Sequence, residues 1–181
     1  MKKIIFIISF IIFVSLCVYI DIKKVNFQNS INKQVIFDGR NSSFTIDEQK
    51  IILKNGLSEI KIAGSASKII TRYFGNEAYG DLNGDGLQDE AFLITQETGG
   101  SGIFYYVVVA LKTTAGYKTI NAFFIGDRIA PQTTQINSSA KELYVNFAER
   151  KPGEPMTAQP SQGATLYLKV TPAGVLEGLM N

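Results

Sequence analysis

Beyond residue 34, no stretch of this chain sustains the helical repeat of about 3.6 residues. Short apolar runs follow one another instead, separated by turn chemistry. The runs are Val35–Phe37, Phe44–Ile46, Ile51–Leu53, Ile60–Ile62, Ile69–Phe74, Ala91–Thr95, Ile103–Leu111, Thr119–Ile125, Thr133–Ile136, Leu143–Ala148, Leu166–Val170 and Val175–Leu179. Several alternate. Leu143, Val145 and Phe147 point one way, and Tyr144 and Asn146 the other. Leu166, Leu168 and Val170 oppose Tyr167 and Lys169. Successive side chains of a strand face opposite sides, so this pattern specifies half-buried strands. Phe104–Leu111 is apolar throughout and predicts a central strand covered on both faces. Asp38-Gly39, Asn55-Gly56, Gly99-Gly100, Ala115-Gly116 and Pro152-Gly153 supply the turns. The expected fold is therefore mainly β: a single antiparallel β-sandwich or rolled-sheet domain over residues 34–181. One short helix is expected around Ser65–Thr71, with Ser65 as its N-cap.

The N-terminus is of another kind. Ile4–Ile20 is a run of 17 residues without a charge, preceded by Lys2 and Lys3 and followed by Asp21, Lys23 and Lys24. At about 1.5 Å per residue it reaches the short end of a bilayer span. Residues 1–24 are read as a signal anchor forming a transmembrane helix, and residues 25–33 as a polar juxtamembrane spacer. A cleaved signal, giving a secreted protein, is the first alternative, although Ser15, Leu16, Cys17, Val18 and Tyr19 offer no A-x-A-like pair. Lipidation at Cys17 is the second, although Leu16 precedes it where a small residue is usual. Lys2 and Lys3 favour a cytoplasmic N-terminus, which places the remainder outside, in the periplasm or on the cell surface of a bacterium.

Composition excludes several classes. Setting aside Lys2, Lys3, Lys23, Lys24 and Asp21 leaves 14 basic and 15 acidic residues, too even a balance for a nucleic-acid partner. There is no His and one Cys, which removes His-based triads, His or Cys zinc sites, haem and disulfide scaffolds. Trp is absent, which weakens sugar stacking.

One segment carries chemistry. Residues 81–90 read Asp-Leu-Asn-Gly-Asp-Gly-Leu-Gln-Asp-Glu, the pattern D-x-N-x-D-G-x-x-D. Calcium takes about six to eight oxygens, and a short loop supplies them only when oxygen-bearing side chains recur at alternate positions. Asp81, Asn83 and Asp85 are those positions, Gly86 permits the wrap, Leu87 offers its carbonyl and Asp89 closes the set. Position twelve of an EF-hand, a bidentate Glu, is Phe92 here, and Ala91–Ile94 reads as a strand. The loop instead resembles the calcium loops of FG-GAP propeller blades, which lead directly into a strand. The resemblance implies Ca2+ and its ligands over Asp81–Ile94. A single copy implies no propeller. Six of the 15 acids beyond residue 24 lie between Arg72 and Lys112, an interval without Lys or Arg, and a cation would relieve their repulsion.

Further segments resemble uncharacterised bacterial exported proteins, some of which carry a META-type domain. They are Ser65–Gly75, Gly80–Gly86, Gly99–Val107, Gly126–Thr134 and Arg150–Met156. That resemblance implies a discrete exported module and no activity. Gly99–Gly102 lacks the Lys-Ser/Thr of a phosphate loop and reads as a glycine hairpin. The expected function is a membrane-anchored, non-catalytic calcium-binding module that recognises a protein or an envelope polymer. The alternative is a calcium-assisted hydrolase using paired carboxylates, Glu90 or Glu97 with Asp127.

Overall fold

The computed structural model describes residues 19, 20, 23 and 36–179. The apolar run of residues 4–20, apart from Tyr19 and Ile20, and the spacer lie outside the described residues. Among the described residues no helix is long and apolar enough to cross a membrane. The chain divides into two units, Met1–Ile36 and Phe37–Asn181. The second carries the fold.

That unit is mainly β, and its described residues form three antiparallel sheets, an arrangement consistent with a β-sandwich. A 3-10 turn at Gly39–Asn41, capped by the Asp38 carboxylate, leads into the hairpin β1 (Ser43–Ile46) and β2 (Gln49–Ile52). The central sheet runs β3 (Leu57–Lys61), β4 (Lys68–Gly80), β5 (Asp89–Glu97), β6 (Phe104–Thr113), β7 (Gly116–Thr119). Strand β8 (Phe123–Asp127) also pairs with β6. The third sheet is ordered β12 (Leu176–Gly178), β11 (Gln162–Val170), β10 (Glu142–Glu149), β9 (Ala130–Asn137).

Alternation along β5 shows how the layers form. Ala91 and Leu93 face the third sheet, where they join Val107, Val109, Leu143, Val145, Phe147 and Leu168 in one core. Phe92 and Ile94 face the other way and pack with Val108 under Phe44, Ile46 and Ile51 of the β1–β2 hairpin. Phe92 is fully buried and its ring lies 5.3 Å from that of Tyr73. Burial of a side chain of this size contributes about 2–3 kcal/mol. The apolar run at 104–111 is thus the covered central strand that its composition specifies: Val107 to Ala110 are each 0% exposed.

Three local expectations change. The described part of Val35–Phe37 is not a strand: Ile36 and Phe37 lead into the 3-10 turn, and the Phe37 ring packs 6.0 Å from that of Phe92 and 5.1 Å from that of Tyr117. Ser65–Thr71 is not helical. The Ser65 hydroxyl accepts the Ser67 amide in a turn, and residues from Lys68 onward extend as β4 between β3 and β5. Pairing on two sides overrides a weak local cap. Thr119–Ile125 is two strands rather than one. The chain leaves β6 after Thr119, bridges Asn121 to Thr45 of β1 and returns as β8 on the other half of β6. The Asn121 amide then substitutes for a strand backbone. It accepts the Leu176 amide at 2.9 Å and donates to the Leu176 carbonyl at 3.2 Å.

Candidate metal centre

Strands β4 and β5 are neighbours in an antiparallel pair that ends with Gly80 opposite Asp89. Residues 81–88 must therefore reverse the chain in one loop at the edge of the core. Leu82 is the anchor, 1% exposed within the core between the sheets. The remaining oxygens organise the loop's own amides. Asp81 accepts the Gly84 amide at 2.6 Å through Oδ1 and the Gly86 amide at 2.9 Å through Oδ2. Asn83 Oδ1 accepts the Asp85 amide at 2.9 Å, and Asp85 Oδ1 accepts the Leu87 amide at 2.8 Å. Asn83 Nδ2 donates to Asp85 Oδ2 at 3.1 Å. Gly84 and Gly86 have φ of +83° and +80°, the left-handed backbone that such a wrap requires.

Asp89 has a different setting. It is 0% exposed, and both of its oxygens are engaged: Oδ2 with the Leu82 amide at 2.9 Å and Oδ1 with the Lys112 amide at 2.8 Å. Its carboxylate ties the first turn of the loop to the end of β6. Desolvation raises its pKa, against the lowering effect of the Leu82 and Lys112 amides. Asp81 shifts the other way. Desolvation pushes it up, but the Gly86, Gly84 and Asp85 amides and the charge of Lys141 outweigh this and hold it below the ordinary carboxylate range. The two carboxylates at the ends of the loop therefore shift in opposite directions.

The five expected ligands, Asp81, Asn83, Asp85, Leu87 and Asp89, lie in one loop, and all their candidate donors are oxygens. By chemistry the set fits a hard dication. The side-chain oxygens are drawn to amides rather than onto one point. Among the described residues, no group of three or more Asp, Glu or Cys side chains is placed to hold a metal ion. Each carboxylate oxygen that accepts one amide retains a further lone pair for a cation. A depression of about 460 Å³ opens beside the loop, between Asn83, Gly84 and Asp85 on one side and Leu111, Val170 and Pro172 on the other.

The carboxylates considered for hydrolysis are dispersed. Glu90 and Glu97 stand at opposite ends of β5. Glu97 pairs with Arg72, and Asp127 pairs with Arg128 at 2.8 Å. The Arg128 hydrogen bond holds Asp127 below its usual pKa. Glu90 is the exception, and its burial is not evident from the sequence. It is 6% exposed and faces the side of the sheet that carries Phe92. Desolvation, with the charges of Glu77 and Asp38, pushes its pKa up to about 7. Glu77 in turn accepts a hydrogen bond from the Tyr73 hydroxyl. Alternation with Phe92 and Ile94 gives only the face on which Glu90 lies; the charges near it come from β4 (Glu77) and from the cap of the 3-10 turn (Asp38), which no local pattern brings together.

Comparison with protein-family models, characterised proteins and solved structures finds no match for this chain.

Proposed function

We propose that this chain is a membrane-anchored, extracytoplasmic, calcium-binding β module that recognises a protein or an envelope component without catalysing a reaction. The uncharged run Ile4–Ile20, with lysines before it, supports the anchor as an N-terminal hydrophobic helix. A cysteine-free sequence beyond residue 24 suits an oxidising compartment, where the fold must hold without disulfides. A metal brace serves that purpose.

The observation that carries the calcium reading is the Asp81–Asp89 loop. Oxygen donors recur at alternate positions, and the loop's amides are already gathered around the Asp81 carboxylate. Calcium would be held by Asp81, Asn83 and Asp85, the Leu87 carbonyl and Asp89, directly or through water, and would supply charge neutralisation and a link between loop turns. The hydrolase alternative gains less support. Two of its three acids are engaged in ion pairs, and Glu90 and Glu97 are separated by the length of β5.

The test is thermal unfolding of the full chain with EDTA and with added calcium. A ligand that binds only the native state, at a hundred times its dissociation constant, adds about 2.7 kcal/mol. Calcium is expected to raise the melting temperature by several degrees over the chelated protein. An identical transition in both conditions, together with no calorimetric uptake, refutes the reading.

A further inference from the structure

The Asp81–Asp89 loop has a partner that is distant in sequence. The turn between β9 and β10 is fixed by Asn137, whose Oδ1 accepts the Ser139 and Ala140 amides at 3.1 Å each. This turn is docked on the loop. The Asp81 amide donates to Ser138 Oγ at 2.9 Å. Gly80 makes the approach possible, since a Cβ there would lie 2.7 Å from Ile136 Cγ2 and 2.8 Å from Ser138 Oγ. Lys141 closes the turn with φ of +57°. Its stem crosses Gly84, and its ammonium stands where a side chain on Gly84 would have to go. Gly84 therefore answers two needs, the left-handed backbone and room for Lys141.

The placement has an electrostatic meaning. Between Arg72 and Lys112 the chain has no cation of its own. Lys141 brings one to the loop from another sheet, and its charge acts on Asp81. Among the described residues it forms no ion pair with a single carboxylate, so it acts on the loop as a through-space charge.

We infer that Lys141 is the resident cation of the Asp81–Asp89 loop: it offsets part of the repulsion among Asp81, Asp85 and Asp89, and it opposes the entry of a dication. This rests on the calcium reading and deepens it, because it makes Lys141 the residue that sets calcium affinity. A double and a single positive charge about 6 Å apart in a water-like medium repel by enough to change a binding constant by about tenfold. Salt screens that repulsion, since the Debye length is about 10 Å at 0.1 M.

The experiment is calorimetric titration with calcium chloride of the full chain in mild detergent, for the wild type, Lys141→Met and Lys141→Arg. Each is measured at low and at high salt, and melting with EDTA is recorded alongside. Lys141→Met, which keeps the stem and loses the charge, is expected to bind calcium about tenfold more tightly at low salt. The gain should shrink at high salt, and the chelated protein should melt lower. Lys141→Arg should stay near the wild type. Equal or weaker affinity in Lys141→Met, while the wild type takes up calcium, overturns the assignment. So does a lowered melting point with no change in affinity, which would make Lys141 a structural contact only. Absence of uptake in all three proteins overturns the calcium reading, and the role of Lys141 towards the ion with it.

Discussion

The two connections at the ends of β5 solve the same problem by different means. Residues 81–88 lead into it from β4, and residues 98–103 lead out of it to β6. The first is stabilised by its own side chains: Asp81, Asn83 and Asp85 take up the amides of Gly84, Gly86, Asp85 and Leu87, while Asp89 ties the base to β6. In the second, the described side-chain contact comes from outside, where Asp127 accepts the Ile103 amide at 2.9 Å. Glycines leave the second loop free to turn. Carboxylates oblige the first to turn one way, and they leave it with negative charge. The difference shows that an Asp-rich loop is more than a hairpin with polar residues. Its order and its concentration of negative charge have the same origin, the carboxylates of Asp81, Asp85 and Asp89.

Removing Asp89 should break the first loop most severely. Asp89→Ala leaves the buried Leu82 amide and the Lys112 amide without their acceptor, at about 1–3 kcal/mol each. With chelator present, so that no ion contributes, denaturant unfolding should show a loss of about 3–5 kcal/mol. A loss under about 1 kcal/mol would show that the carboxylate is not holding the loop.

Glu90 sharpens the contrast within two adjacent residues. Asp89 is buried with two amides, whereas no hydrogen bond to the Glu90 carboxylate is found among the described residues. Its folded pKa, about 7, lies above the ordinary value of 4.5. The folded state thus holds the proton more tightly than the unfolded one. The stability this confers is full below about pH 4.5 and is lost as pH rises towards and through 7. In chelated protein, Glu90→Gln should match the wild type at pH 4 and exceed it by up to about 3 kcal/mol at pH 8. Parallel stability curves for the two proteins across that range would remove Glu90 from the account.

The smallest effects separate the glycines. Gly86 has φ of +80°, and a Cβ added there would meet no atom within 4 Å, so Gly86→Ala carries only the backbone cost, about 1 kcal/mol. Gly100 has neither a positive φ nor a neighbour in reach, and Gly100→Ala should change stability by less than about 0.5 kcal/mol. Equal effects at both sites, read by denaturant midpoints, would deny that the first loop is the more constrained.

Most of the strands were legible because their signal is local. Alternation in Leu143–Phe147 is read from neighbours in the chain, and the outward Tyr144 and Asn146 do lie on the far face, against Tyr167 and Thr165. The same holds for the covered β6. The failures came where pairing decided. Ser65 has the chemistry of a cap, yet the residues after it gain more from two flanking strands than from a single helical turn. The break of Thr119–Ile125 at Asn121 follows from the position of β1, which no local pattern encodes.

By itself the chain determines its β character, its turn positions and the chemistry of the Asp81–Asp89 loop, because backbone sterics and a two-residue repeat act over a few neighbours. Tertiary structure alone places the β1–β2 hairpin behind Phe92, buries Glu90 beside Glu77 and Asp38, and carries Lys141 to Gly84. These depend on strands far apart in sequence meeting in one register. Burial and charge are properties of that meeting, and no single segment contains them.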